Sequence, residues 1–178
     1  NPDFSMNYTN TFEYKGWSLA VAVNHTSGGD IYSTTIATLM GRGLTTDTED
    51  RLSTYILPGV SQATGLPNDL QINNSNFYFD NGFASPASEL SVYDASVIRL
   101  REVSFGYSLP SKMLDKTPFG KVVFKASAYN MWYNAYNTPD GVNFDPNTTA
   151  LGDGNGQGFD YLTGPSSKRY GMSVNLSF

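Results

Sequence analysis

Tyr170-Gly171-Met172-Ser173-Val174-Asn175-Leu176-Ser177-Phe178 alternates from end to end, each large side chain followed by a small or polar one. Successive side chains of a β-strand point to opposite faces. As a strand, this stretch therefore puts Tyr170, Met172, Val174, Leu176 and Phe178 on one face and Gly171, Ser173, Asn175 and Ser177 on the other. A helical period would scatter both sets. The same alternation opens the chain: Phe4, Met6, Tyr8, Phe12 and Tyr14 share a face opposite Ser5, Asn7, Thr9, Thr11 and Glu13, with Asn10 as the one defect. After Lys15-Gly16 it resumes as Trp17, Leu19, Val21 and Val23 against Ser18, Ala20, Ala22 and Asn24, which predicts a tight hairpin.

Two more strands follow at 97–109 and 121–131. In the first, Val103, Phe105, Tyr107 and Leu109 alternate with Ser104, Gly106 and Ser108, but Ile98 and Leu100 fall on the opposite phase with Arg99 and Arg101 between them. Either a bulge near Arg101-Glu102 or a stretch projecting beyond the apolar layer accounts for the change. In the second, Val122, Phe124, Ala126 and Ala128 oppose Lys121, Lys125 and Ser127. The reading is thus all-β, with about five antiparallel strands at 4–14, 17–24, 97–109, 121–131 and 168–178. The connections alternate between short (15–16, 110–120) and long (25–96, 132–167). Loops that long are uncommon in compact soluble domains. They are expected on the outer side of an outer-membrane β-barrel, whose periplasmic turns are short. If the last strand ends in the periplasm, both short turns fall there and both long loops outside. Tyr14, Trp17, Tyr107 and Phe178 then cluster at the periplasmic strand ends, as an interfacial aromatic girdle does.

Composition narrows the function. Charged residues are only 15% of the chain and aromatic ones 14%, too aromatic for a disordered segment. A net charge of −5 leaves no broad basic surface for phosphates, so nucleic-acid binding is excluded. There is no cysteine, hence no disulfide, thiolate metal site or thiol nucleophile. No apolar run is long enough for a transmembrane helix, so a membrane role must come from strands. A soluble sandwich or lipocalin-like barrel is the alternative fold, but its outer face should carry charge rather than Ser, Asn, Thr and Gly. Five strands cannot close a barrel, since the smallest outer-membrane barrels use about eight. The piece therefore needs further strands, or its edges stay unsatisfied in lipid. The start at Asn1, with neither Met nor a signal peptide, fits a trimmed or cleaved fragment.

Chemistry-bearing groups are few. His25 is the only histidine; with Ser27 and Asp30 nearby it is the one place for a hydrolytic constellation, but Gly28-Gly29 reads as a turn and no enzyme is expected. Asp153, Asn155 and Asp160 in a glycine-rich stretch are weak calcium candidates. The position where an EF-hand loop has its bidentate Glu holds Gly164, so no metal or other cofactor is expected. Ile31, Thr35, Ile36, Leu39 and Met40 would share one face of a short helix that packs within the first long loop. Tyr129, Trp132, Tyr133 and Tyr136, at the top of the fourth strand, are weak candidates for stacking on a substrate; an upper interfacial belt is the plainer reading.

Several stretches taken together resemble the C-terminal part of the SusC/RagA-like TonB-dependent outer-membrane transporters of Bacteroidetes. They are Asn1-Pro2-Asp3; Gly28-Gly29-Asp30 followed by Thr38-Leu39-Met40-Gly41-Arg42-Gly43; Asp47-Thr48-Glu49-Asp50-Arg51; the run from Asp94 to Pro110; Asp145-Pro146; Gly158-Phe159-Asp160-Tyr161; and Pro165 with Arg169-Tyr170-Gly171 and the terminal Phe178. The resemblance implies a transmembrane barrel of about 22 strands with a plug in its lumen, of which this chain supplies the last five. It implies an integral outer-membrane protein that imports oligosaccharides or peptides. The partners implied are the rest of the barrel and plug, a SusD-like surface lipoprotein, TonB through an N-terminal part absent here, and membrane lipid. Separately, an alternating terminal strand ending in an aromatic resembles the signal by which outer-membrane proteins are recognised for assembly, with Tyr170, Met172, Val174, Leu176 and Phe178 on the lipid face. The competing function is a non-transporting outer-membrane or surface barrel that binds ligand or mediates adhesion.

Overall fold

A computed structural model describes residues 1–73, 75–80, 89–148, 154 and 156–178. Among these residues the strands, in chain order, are β1 (Pro2–Tyr14), β2 (Trp17–Gly28), β3 (Asp30–Ser33), β4 (Thr54–Ile56), β5 (Gln71–Asn73), β6 (Val92–Asp94), β7 (Val97–Ser108), β8 (Lys121–Asn134), β9 (Phe159–Asp160) and β10 (Arg169–Ser177). Helix α1 spans Thr34–Gly41 and the short α2 spans Ser111–Leu114. No described helix is long and apolar enough to cross a membrane.

The chain divides into two compact units. The first comprises Asn1–Gly29, Ser96–Tyr136 and Pro165–Phe178. It is one antiparallel sheet in the order β1-β2-β7-β8-β10. The β1–β2 turn is Lys15-Gly16, with φ of 46° and 87°. Two positive φ values give the turn whose twist matches the flanking strands. A Cβ on Gly16 would lie 2.8 Å from Ser108 O, so the turn also needs the glycine for close approach to β7.

Register keeps the faces apart. Tyr14 pairs with Trp17, Trp17 with Tyr107, and Tyr107 with Phe124. Tyr170, Met172, Val174 and Leu176 pair with Ala128, Ala126, Phe124 and Val122. Cross-strand partners share a face. The phase change in β7 is a bulge. Ala22, Glu102 and Tyr129 form one row, and Val23, Leu100 and Trp132 the next. Between these rows β2 has no residue, β7 has Arg101, and β8 has Asn130 and Met131. The extra residue in β7 returns Ile98 and Leu100 to the apolar face and leaves Arg99 on the polar one.

The second unit comprises Asp30–Ala95 and Asn137–Gly164. The stretches expected as loops therefore shorten at both ends and acquire a core of their own. Strand β2 continues to Gly28 and β8 to Asn134, three or more residues beyond the apolar alternation, because polar strand ends still form ladder hydrogen bonds. In the unit, β3 lies between β6 and β9, pairing antiparallel to the former and parallel to the latter. Strands β4 and β5 form a separate pair. The expected short helix is α1, with Ser33 as N-cap accepting from Ile36 N at 3.1 Å. Ile31, Ile36, Ala37 and Met40 are buried with Val142 and Phe144.

Candidate functional site

The first unit presents two chemically opposite faces. The apolar one is assembled from Phe4, Met6, Tyr8, Phe12 and Tyr14 on β1, Trp17, Leu19, Val21 and Val23 on β2, and Ile98, Leu100, Val103, Phe105 and Tyr107 on β7. Strands β8 and β10 complete it with Val122, Phe124, Ala126, Ala128 and Trp132, and with Tyr170, Met172, Val174 and Leu176. No formally charged side chain stands in these rows. Met172 is 93% exposed and Tyr170 72%. Asn10, the defect in the pattern, donates from Nδ2 to Tyr8 Oη at 3.1 Å, so its amide is engaged within the same face. Near the short-turn end, Trp17 stacks on Phe105 at 5.1 Å and on Tyr107 at 4.1 Å between ring centroids. Ala126, small between Phe105 and Met172, leaves a groove of about 320 Å³ there. Phe178 lies one residue beyond β10, is 89% exposed, and its ring contacts Phe119 at 5.2 Å.

The polar face is a carpet of small side chains over most of its area: Ser5, Asn7, Thr9 and Thr11, then Ser18, Ala20 and Ala22, then Gly106 and Ser104, and finally Ser127, Gly171 and Ser173. Longer groups stand at both ends: Glu13, Lys121 and Lys125 toward the short turns, and Glu102, Arg169 and the buried Arg99 away from them. Lys125 Nζ lies 3.7 Å from Glu102 Oε1. Arg169 is stacked over Tyr129, and Arg99 over Tyr133, each with Cζ 5.9 Å from the ring centroid. Arg99 also donates to Asn130 Oδ1 at 3.3 Å. Asn130 has a φ of 56° and donates in turn to Ser167 O at 3.4 Å.

The aromatic group expected at the top of the fourth strand is thereby split. Tyr129 and Tyr133 stand on the polar face, while Trp132 stands on the apolar face in the row of Leu100. Tyr136 follows the strand, and its hydroxyl is 3.1 Å from His25 Nε2. Four aromatics within eight residues look like one cluster. Strand alternation divides them, the two residues at 130–131 leaving its parity unchanged, and sequence proximity hides this. The arginine partners were also missed; the signal for Arg99 is the charged pair Arg99 and Arg101 flanking Leu100.

No hydrolytic constellation forms around His25. Its ring meets Tyr136 and, edge to face at 5.2 Å, Phe4. Ser27 stands opposite Phe4, and Asp30 pairs with Asp94 in the second unit. The calcium candidates fare as follows. Asp153 and Asn155 lie outside the described residues. Asp160 is fully buried and its carboxylate is occupied by donors: Ser33 Oγ at 2.7 Å, Thr35 N at 3.1 Å, Thr163 N at 3.1 Å and Thr163 Oγ1. Burial alone would raise its pKa, but the hydrogen bonds from Thr163, Thr35 and Ser33 outweigh it and hold the carboxyl below its ordinary value. Among the described residues no group of three or more His, Cys, Asp or Glu is placed to hold a metal ion. In the same unit Tyr93 is pushed up to about 12, first by burial and then by Tyr78 and Asp47, and its hydroxyl donates to Met40 Sδ at 3.6 Å. It is a structural donor.

No family model matches the chain. It is similar to "TonB-dependent receptor P3" of Formosa agariphila, 26% identical over 182 residues that cover 99% of this chain and 16% of that protein. Among solved structures it is similar to the RagAB peptide importer in its open-open state, with a TM-score of 0.58 and 18% identity over 100% of this chain and 17% of that one. A second structure, of the RagAB peptide transporter, matches with a TM-score of 0.58 and 18% identity over 99% of this chain. The chain spans 16–17% of the length of these proteins. The resemblance to SusC/RagA-like TonB-dependent transporters read from the sequence is thus borne out, and the all-β fold matches that of one segment of such a transporter.

Proposed function

We propose that this chain forms five adjacent wall strands of an outer-membrane, TonB-dependent importer of the SusC type. The observation that carries the reading is the sheet of the first unit: strands of 9 to 14 residues with one exposed, charge-free apolar face and one face of small polar groups. Such a sheet matches a barrel wall with lipid on one side and a polar lumen on the other. Strands β1 and β10 are its two edges, and in lipid both must pair with further strands of the same barrel. On this reading Tyr170, Met172, Val174 and Leu176 face lipid, Tyr14, Trp17 and Tyr107 form the periplasmic girdle, and the second unit lies outside the cell.

The importer as a whole takes up an oligosaccharide or a peptide. It works with a SusD-like surface lipoprotein and draws on TonB through its plug-bearing part. Similarity to the F. agariphila TonB-dependent receptor supports the TonB link, and similarity to RagAB, a peptide importer, supports peptide among the substrates. The test is fractionation and uptake with the full-length gene product. It should be found in the outer membrane as a heat-modifiable barrel, and its uptake activity should vanish when TonB is deleted. A water-soluble product would overturn the reading.

A further inference from the structure

We propose that the groove beside Ala126 on the apolar face binds one anionic phospholipid of the periplasmic leaflet, with an acyl chain in the groove and the phosphate at Lys15. The inference rests on the sheet being a barrel wall. A single small residue makes the groove: in the row of Phe105, Ala126 and Met172 the middle side chain is only a methyl group, whereas the next row toward the short turns is filled by Trp17, Tyr107, Phe124 and Val174. The hollow of about 320 Å³ is walled by Trp17 and Phe105 on one side and by Met172 and Val174 on the other. Its lining side chains are apolar, because Lys125 and Ser173, which also border it, are a pair that belongs to the opposite face. One wall is held in shape by ring packing, with Trp17 at 5.1 Å from Phe105 and 4.1 Å from Tyr107 between centroids.

Further barrel strands do not cover the groove. They pair in the plane of the sheet at the edges β1 and β10, whereas the Ala126 floor lies one strand in from the β10 edge and opens on the face. The occupant therefore comes from the medium against that face, which for a barrel wall is lipid tails. Lys15 supplies the other half of the site. It follows Tyr14, whose cross-strand partner is the groove residue Trp17, and its ammonium lies over the Tyr14 ring, 5.1 Å from the centroid. This puts the charge at the rim of the apolar face. Lys15 is exposed and, among the described residues, in no ion pair. Of the other charged groups at this end, Glu13 and Lys121 belong to the polar face, and the 110–120 turn adds Lys112, Asp115 and Lys116. Each methylene buried in the groove adds affinity, and an unpaired ammonium at the membrane surface selects a negative headgroup.

Native mass spectrometry of the purified full-length barrel, titrated in detergent with dioleoyl phosphatidylglycerol or dioleoyl phosphatidylcholine, reads the two halves separately. The tails are identical and only the headgroup charge differs. One phosphatidylglycerol should bind saturably, about fivefold more tightly than phosphatidylcholine, as one lysine near an anionic headgroup provides. Ala126→Phe fills the groove and should weaken both lipids about tenfold, the effect of about two displaced methylenes. Lys15→Gln should abolish the preference and leave phosphatidylcholine unaffected. Both positions are exposed, so neither substitution threatens folding; heat-modifiable migration checks this, and Ala126→Leu serves if phenylalanine impairs insertion. Four results would overturn the site: no saturable phosphatidylglycerol, equal binding of the two lipids, binding unchanged by filling the groove, or a preference that survives Lys15→Gln. A dimer of barrels that Ala126→Phe dissociates would also overturn it, by giving the groove to a second copy. A barrel that inserts and shows any of these rejects this site alone, whereas a product that never reaches the outer membrane rejects the transport reading beneath it.

Discussion

Asp160 joins residues far apart in sequence: its carboxylate collects donors from Ser33 and Thr35 at the start of α1 and from Thr163 after β9. Replacing it by Ala leaves these donors without their acceptor, at a cost of about 1–3 kcal/mol. Hydrogen exchange in the full-length protein should show faster exchange across 31–41 and unchanged protection in β7 and β8. The pH dependence follows from the lowered pKa. A carboxyl whose folded value lies below the unfolded one stabilises fully above about pH 4, and that contribution is lost as pH falls through the folded value. Protection of 31–41 should therefore fall on acidification below about pH 4 in the native protein, and fall less in Asp160→Asn, which cannot titrate there. Phe178 poses a different question. As an ordinary interfacial aromatic its loss costs about 1.5–3 kcal/mol at most. As an assembly signal its deletion should remove most of the protein from the outer membrane while the inserted molecules keep normal uptake. Unchanged abundance with lost uptake would reject the assembly role. At this scale the sides of the aromatics follow from alternation carried on past Ala128, which puts Tyr129 and Tyr133 opposite Trp132; what no local pattern announces is the left-handed φ of Asn130.

Strands and loops differ in how far they can be read. The five long strands are legible because each carries its own period-two pattern, a property local to the strand. The second unit is not, because its core joins Ile31, Ile36 and Met40 to Val142 and Phe144, and its sheet pairs Tyr32 with Phe159. Strands of two to four residues are too short to show alternation. This unit makes a testable prediction. Ile36→Ala removes a fully buried side chain at a cost of about 2–5 kcal/mol, so protease added to intact cells should cut within 30–95 far faster than in the native protein. Heat-modifiable migration of the barrel should not change. Sidedness is tested by single cysteines and an impermeant reagent. Gly154→Cys should label on intact cells and Lys15→Cys only after lysis; the reverse would reject the topology. Lys15 is the better turn position, since a side chain at Gly16 would collide with Ser108 O.

The five-stranded sheet of the first unit exposes a broad apolar face and two strand edges, a surface that associates in water. Expressed alone, residues 1–178 should aggregate, and a monodisperse monomer that melts cooperatively would reject the barrel-wall reading. The bulge rows carry a consequence for how such a wall changes length. Between the Glu102 and Leu100 rows β2, β7 and β8 hold none, one and two residues, three reading frames set side by side. A single deletion acts on them unequally. Removing Arg101 lets Leu100 follow Glu102 in plain alternation, so inside and outside keep their assignments. Removing Met131 shifts everything above it by one, sending Trp132 to the lumen and Tyr133 into lipid. Insertion into the outer membrane should therefore survive the first deletion and fail with the second, a spatial frameshift in a gene whose coding frame is intact.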